Sequence, residues 1–142
     1  MTLKDFGILL MSKSTQRKSI AIDDVYIEKV YSAIKRVAKD TVPLTLLVNS
    51  PIGQRVMRKI DDNAYIRYPK KAINETDIVD VDEALLDAVA LYVMAGLETQ
   101  RAKIYMGLYY TEIENNDAVQ IEASINTDSA NPPNRNPDKV FL

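Results

Sequence analysis

The sequence contains no cysteine and no histidine among its 142 residues. Without cysteine there is no disulfide, no thiol catalysis and no cysteine metal site, so an extracellular disulfide scaffold is not expected. Histidine is the commonest general base, the commonest metal ligand and the usual pH switch, and its absence removes those routes too. The four glycines are scattered at positions 7, 53, 96 and 107 and form no phosphate-binding loop. We therefore predict neither an enzyme nor a bound cofactor.

Long apolar runs are also missing. The nearly uncharged apolar stretch Ala84–Leu97 has fourteen residues, whereas a membrane-spanning helix needs roughly 20. Near the start, Phe6–Met11 is too short for a signal peptide and no small-residue cleavage site follows it. We expect an intracellular chain with no membrane partner.

The rest of the chain is organised around residues 80–114, which are predicted to be helical. Asp80 and Glu83 have the spacing of a capping box at the start of this region. Between Ala84 and Leu97 only Asp87 is charged, so the helix is apolar nearly all round and must be covered on most sides. A neighbouring subunit is the favoured cover, and the core of a monomer is the alternative. The packing residues are Leu85, Leu86, Val89, Leu91, Val93, Met94 and Leu97.

Beyond Gly96 the helical spacing resumes, with one stripe formed by Ala102, Tyr105 with Met106, Tyr109 and Ile113. Gly96 either kinks one long helix or separates two, and the sequence leaves both open. The rings of Tyr105, Tyr109 and Tyr110 suit a subunit interface or the core equally well.

Upstream, residues 22–39 are predicted to form an amphipathic helix that begins at Asp23 or Asp24. Residues 1–21 are predicted to be an arm that carries a basic, serine-rich patch at residues 13–18.

Residues 54–69 predict a β-hairpin, because the runs 54–60 and 64–69 flank the turn-forming Asp61-Asp62-Asn63. Tyr65 and Tyr68 interleave with cations there, as on nucleic-acid surfaces. The alternative is a solvated hairpin whose charged edges discourage aggregation. This basic loop consists of Arg55, Arg58, Lys59, Arg67, Lys70 and Lys71.

Charge is divided unevenly along the chain. Residues 1–75 hold 14 Lys and Arg against 8 Asp and Glu, a net charge of +6, and residues 76–142 hold 4 against 12, a net of −8. Such halves can pair one subunit with the next or steer nucleic acid, or they can be ordinary solvated charge. The carboxylates at Asp77, Asp80, Asp82 and Glu83 lack the Gly and distal Glu of a calcium loop, so no metal site is predicted.

The polar, proline-containing end, residues 126–142, is predicted to be an extended arm that orders on a partner, with a frayed terminus as the alternative. The predicted fold is mainly α: a small helical bundle with a long central helix or helix pair, a short β-hairpin insertion and extended terminal arms. Its parts are the arm 1–21, the helical domain 22–125 with the hairpin at about 54–69, and the arm 126–142.

The helical domain resembles the head–tail connector (adaptor, or neck) proteins of tailed bacteriophages. The residues that carry the resemblance are 80–86 (DVDEALL), 87–98 (DAVALYVMAGLE) and 101–110 (RAKIYMGLYY), with 42–47 (VPLTLL) and 65–69 (YIRYP) upstream. The resemblance covers about residues 22–125 and is one of helix composition and order, without a signature motif.

The resemblance implies a structural virion protein in the neck, assembled in the host cytoplasm. Copies would form a homo-oligomeric ring, commonly of twelve, between the portal protein and a tail or tail-completion protein, with non-specific contact to genomic DNA in the channel. The implied portal-binding arm includes Pro132, Pro133, Arg135, Val140, Phe141 and Leu142. The alternatives are a small helical nucleic-acid-binding or regulatory protein and a tail-completion or terminator protein of the same neck.

Overall fold

The chain is mainly helical, with 57% of its residues in helices and a small three-stranded antiparallel sheet. A computed structural model describes residues 1–16 and 19–128, with side chains as far as Asp117. Within those ranges the helices are α1 (Leu3–Lys13), α2 (Asp24–Asp40), α3 (Leu86–Leu97) and α4 (Ala102–Asp128), and the strands are β1 (Leu47–Val48), β2 (Val56–Asp61) and β3 (Ala64–Arg67). Three short 3-10 turns, Leu44–Leu46, Glu83–Leu85 and Thr99–Arg101, precede β1, α3 and α4.

The prediction of an N-terminal arm over residues 1–21 is wrong for most of its length, because α1 is part of the core. The Thr2 hydroxyl accepts a hydrogen bond from the Asp5 N–H at 3.1 Å and caps the helix. Leu3, Phe6 and Leu10, spaced three and four residues apart, are completely buried. Of the basic patch at 13–18, Arg17 and Lys18 lie outside the described residues.

The prediction for α2 is confirmed, including its start. Asp23 is the N-cap, and its carboxylate accepts a hydrogen bond from the Tyr26 N–H at 2.9 Å. One face of the helix is buried, formed by Tyr26, Ile27, Val30, Ala33, Ile34, Val37 and Ala38. The helix ends before Pro43, where a continuing helix would lack an N–H.

The predicted hairpin is present and gains a third strand. β2 and β3 pair antiparallel around the turn at Asp62–Asn63, and β1 joins the free edge of β3, so the strand order is β1-β3-β2. Leu47 pairs with Ile66 and Val48 with Tyr65. Ile66, in the central strand, is completely buried and anchors the sheet on the helices.

The predicted capping box at Asp80 and Glu83 is wrong. The Asp80 carboxylate faces Arg67 instead of the start of α3, and no side chain caps the turn at residues 83–85 or α3. Asp82 serves another element: its carboxylate accepts hydrogen bonds from the N–H groups of Leu44 and Thr45 at 2.6 and 2.5 Å. A 3-10 turn 38 residues upstream therefore receives the cap.

Residues 82–114 form two helices. The chain leaves helical geometry at Glu98, whose φ and ψ are −111° and 76°, two residues after Gly96. The Glu98 carboxylate accepts hydrogen bonds from the hydroxyls of Ser14, Thr15 and Tyr105 at 2.6, 3.1 and 3.1 Å. The corner between α3 and α4 is thus tied to the end of α1.

The cover expected from a second subunit over α3 is supplied by the chain itself. Helices α1, α2 and α4 all pack against α3. Of the seven predicted packing residues, Leu85, Leu86, Val89, Leu91, Val93 and Met94 are buried, and only Leu97 is substantially exposed, at 38%. Tyr105 and Tyr109 also belong to this core, whereas Tyr110 is 47% exposed.

Candidate interaction surfaces

Arg67, one of the six cations of the predicted basic loop, is committed to an internal ion pair. Its guanidinium donates two hydrogen bonds to the Asp80 carboxylate, at 2.6 and 3.0 Å. The two side chains are only 17% and 13% exposed, and paired geometry of this kind is strong and specific. Arg67 therefore holds the sheet to the segment before α3 and is not available to a ligand.

The pKa of each partner follows from this pairing. The hydrogen bond to Asp80 raises the pKa of Arg67 against the opposing effect of burial. Burial acts to raise the pKa of Asp80, but the hydrogen bonds from Arg67 and from the Lys70 N–H outweigh it and hold that pKa below the usual range. Both groups stay charged at neutral pH.

Arg58 is also used within the fold. Its guanidinium donates hydrogen bonds to the carbonyl oxygens of Ala38 at 2.8 Å and Thr41 at 2.7 Å. These carbonyls lie at the C-terminal end of α2, where a cation is favourable to the helix dipole. Arg58 joins the hairpin to α2.

Two lysines of the predicted loop form surface ion pairs. Lys59 lies 2.9 Å from Asp62, within the hairpin. Lys71 pairs with Glu28 of α2. Exposed pairs of this type are worth at most about 1 kcal/mol, so a ligand can displace them.

Three cations lie beside aromatic rings on one side of the molecule. The Arg55 guanidinium lies 4.8 Å from the centre of the Tyr68 ring, and the Lys35 ammonium lies 4.6 Å from that of Tyr31. Lys71 approaches the same Tyr31 ring at 5.6 Å. A cavity of about 350 Å³ opens there. We call this the basic–aromatic surface; it is formed by Tyr31, Lys35, Arg55, Tyr68, Lys70 and Lys71.

Sequence reasoning missed the two contributions of α2 to this surface, Tyr31 and Lys35. Their spacing of four residues places them on one helix face, a signal that was available from the sequence. What the sequence could not show is that this face meets the hairpin. The assembled surface suits an anionic partner: a phosphate backbone whose bases stack on tyrosine, or an acidic protein surface.

A second candidate surface is the outer face of α4. Ile104 and Leu108 are 53% and 49% exposed, although the helix buries Tyr105, Tyr109 and Ile113 on its inner side. The predicted stripe of Ala102, Tyr105, Met106, Tyr109 and Ile113 describes only the inner side. The spacing of four residues between Ile104 and Leu108 was the missed signal for a second stripe.

A third candidate surface is a groove between α2 and α3, with a volume of about 560 Å³. Val25, Tyr92, Val93 and Gly96 are among its lining residues. Val25 is 62% exposed. The groove is open to a partner of convex, apolar shape.

The predicted portal-binding residues Pro132, Pro133, Arg135, Val140, Phe141 and Leu142 lie outside the described residues. In the part of the chain that the structure does describe, no group of three or more Asp or Glu residues is arranged to hold a metal ion. No helix within the described ranges is long and apolar enough to cross a membrane.

No protein-family model matches the chain, and comparisons with the curated proteins and with the solved structures find no match either.

Proposed function

We propose that the chain is a structural subunit of the neck of a tailed bacteriophage. Copies would assemble into a ring, of twelve subunits by resemblance, that joins the portal to the tail and extends the DNA channel. In this proposal the four helices form the small bundle of the ring subunit, and the protein works by contact, not catalysis. The resemblance over residues 22–125 and the mainly helical fold with its small sheet support it.

The observation that carries the proposal is the outer face of α4. The chain covers its most apolar helix, α3, with its own elements, yet it leaves Ile104 and Leu108 about half exposed on α4. An assembly subunit needs an apolar face that is still open once its own fold is complete. The 27 residues of α4 span about 40 Å against about 18 Å for the 12 residues of α3, which gives a long edge for such contacts.

The basic–aromatic surface has a role in the same proposal. It would meet an acidic tail component or the DNA that passes through the channel. Its open cations, Arg55 and Lys70, belong to the half of the sequence with net charge +6. Attraction between charges of opposite sign steers association and fixes the register of the partners.

Electron microscopy of the tagged chain, purified from its native producer cells with whatever it retains, tests the proposal. We expect rings, or the chain attached to a larger ring. A monomer or dimer that is absent from phage particles would overturn the proposal.

Truncation after Asp128 tests the arm separately, because it removes residues 129–142 and leaves α4 whole. We expect the truncated chain to keep its helical circular dichroism and to lose its attachment to the portal. Normal attachment would show that the arm is not the portal-binding segment.

The basic–aromatic surface favours a second candidate function, a small nucleic-acid-binding protein. Non-specific binding through the four cations of this surface, Lys35, Arg55, Lys70 and Lys71, falls steeply between low and moderate salt, since counterions are released. In that case Lys70→Ala should reduce the slope of log affinity against log salt by about one. Lys4→Ala, an exposed cation on α1, is the matched control. A slope that is the same in all three chains would exclude this surface as the DNA site.

A further inference from the structure

The outer face of α4 has a geometry suited to close contact with another element. Gly107 lies between Ile104 and Leu108 on this face, and a Cβ added there would meet nothing within 4 Å. Glycine inside a helix costs about 1 kcal/mol relative to alanine. Neither packing nor a positive φ angle within the described chain requires it. A bare backbone at this position does, however, let a second surface approach closely.

The groove between α2 and α3 is complementary in shape to such a face. It is concave and apolar, with Val25, Tyr92 and Val93 among its lining residues. Gly96 also lines it, and the flexible Lys29 ammonium lies 3.5 Å from where a Gly96 Cβ would stand. Two large aliphatic side chains that protrude from a helix fit a depression of about 560 Å³.

Charged side chains at the edges of the two surfaces can pair. Asp24 and Glu28, both exposed, line the groove together with the partly buried Lys29. Lys103, also exposed, precedes Ile104 in α4, and the exposed Arg101 lies in the turn just before this helix. Each surface therefore presents an apolar centre with charges at its edge, the usual anatomy of a protein interface.

We propose that the outer face of α4 of one copy docks into the α2–α3 groove of the next copy. The occupant of the groove is thus a second copy of this chain. The two surfaces differ, so every subunit keeps one of each free after the first contact. Such a heterologous contact repeats from subunit to subunit and forms a ring if the rotation closes. This inference rests on the proposed function and adds to it the residues of the subunit interface.

Two single substitutions test the interface. Leu108→Asp blocks the α4 face and leaves the groove intact; Val25→Asp blocks the groove and leaves the α4 face intact. Both positions are exposed, so the fold should survive, and an acidic residue near the start of α2 is favourable to its dipole. In the contact, however, either carboxylate must lose its water, which is unfavourable. Circular dichroism and thermal unfolding check that each variant is folded.

Sedimentation velocity is then measured on the wild type, on each variant and on their equimolar mixture. We expect a wild-type particle several times heavier than the 16.0 kDa chain, while each variant alone sediments as a monomer. The mixture should form a dimer, because it still contains one intact α4 face and one intact groove.

Three other results would overturn the interface. If Val25→Asp still assembles and Leu108→Asp does not, the α4 faces of two copies pair with each other. Wild-type assembly in both variants would place the contact elsewhere and leave the neck proposal standing. A wild type that is monomeric at every concentration would remove this interface, and the microscopy of native particles would then decide the neck proposal independently.

Discussion

Helices α3 and α4 come from one stretch of sequence and meet opposite environments. Seven of the twelve residues of α3 are buried, and α1, α2 and α4 pack against it. Helix α4 buries Tyr105, Tyr109 and Ile113 on one side and leaves Ile104 and Leu108 open on the other. The more apolar helix is thus the one that the rest of the fold covers, and the more polar helix keeps two large aliphatic side chains exposed.

This difference shows that how much cover a helix needs and where that cover comes from are two separate questions. The total number of apolar residues in a helix says how much cover it needs. Where the cover comes from depends on how many elements of the same chain can reach it. Helix α3 follows the sheet and packs against three helices, so most of its surface is covered within the chain.

The largest effect that tests the comparison comes from matched leucine truncations at the two helices. Leu85→Ala, in the turn that leads into α3, should lower the free energy of unfolding by about 2–5 kcal/mol, because the residue is completely buried and leaves a cavity. Leu108→Ala should change that of the monomer by no more than about 0.5 kcal/mol. Urea denaturation of dilute protein measures both, and equal losses would contradict the assignment of α4 as half open.

Adjacent tyrosines on α4 give a finer comparison. The Tyr109 hydroxyl donates a hydrogen bond to Asp40 at 2.7 Å in the core, where burial raises the pKa of the phenol. The Tyr110 hydroxyl accepts one from Arg36 at the surface. Both bonds are made to charged groups, but that of Tyr109 is partly buried and that of Tyr110 is exposed to solvent. Tyr109→Phe should therefore cost about 1.5 kcal/mol, and Tyr110→Phe about a third of that or less. A larger loss of stability in Tyr110→Phe than in Tyr109→Phe would contradict the assignment of Tyr109 to the inner side of α4 and of Tyr110 to its surface.

Gly107→Ala sharpens the comparison in the opposite direction. The substitution should stabilise the monomer by about 0.5–1 kcal/mol, because alanine favours the helix and the added methyl meets no neighbour. In assembled protein the same methyl should weaken the contact of the α4 face. Thermal unfolding at low concentration and sedimentation at high concentration report the two effects. Unchanged assembly would show that no partner approaches the Gly107 backbone closely.

The smallest expected effect is a pH-dependent change in melting temperature from a substitution at the corner between α3 and α4. The Ser14 hydroxyl and the other hydrogen bonds to Glu98 hold the pKa of that carboxyl below its usual range. A depressed pKa adds stability above the unfolded value of about 4.3, and this stability is lost as pH falls through the folded value. The difference in melting temperature between wild type and Glu98→Gln should therefore be largest near neutral pH and should close in acid.

In a Ser14→Ala background, Glu98→Gln should lower the melting temperature by less, because the serine substitution removes the hydrogen-bond donor that lowers the pKa of Glu98 most. A wild-type to Glu98→Gln difference that grows as the pH falls would contradict this account of the corner.

The sequence predicted the elements whose signals are local. Asp23 lies just before an amphipathic stripe and begins α2 as expected. Asp61-Asp62-Asn63 lies between two β-rich runs and turns the hairpin. In both cases the residues that decide the structure are neighbours in the chain.

The predictions were wrong where other residues outweighed a short local pattern, or where the residue that binds a side chain is distant in the sequence. Helix α1 shows apolar spacing at Leu3, Phe6 and Leu10, but the polar and basic residues after it favoured an arm. Asp80 has the position of a helix cap, yet Arg67, thirteen residues away, binds its carboxylate more favourably. Without Asp80 as the N-cap, Glu83 cannot form the second half of a capping box.

The candidate surfaces were predictable only in part. Arg55 and Lys70 were placed on a basic surface from the sequence, but whether Arg58 and Arg67 are open depends on carbonyls and carboxylates that the fold brings to them. The groove between α2 and α3 had no signature at all, since it exists only when two helices separated by the sheet come together.

The absence of cysteine allows the most direct test of the central claim, that another copy covers the outer face of α4. In Leu108→Cys the introduced thiol is the only one in the chain, and its rate of reaction with a maleimide reports its exposure. Ile52→Cys, at a loop position that is 86% exposed, is the control. We predict rapid labelling of both in dilute protein, and labelling at position 108 alone slowed at least tenfold on assembly. Equal rates at position 108 in dilute and assembled protein would contradict the claim.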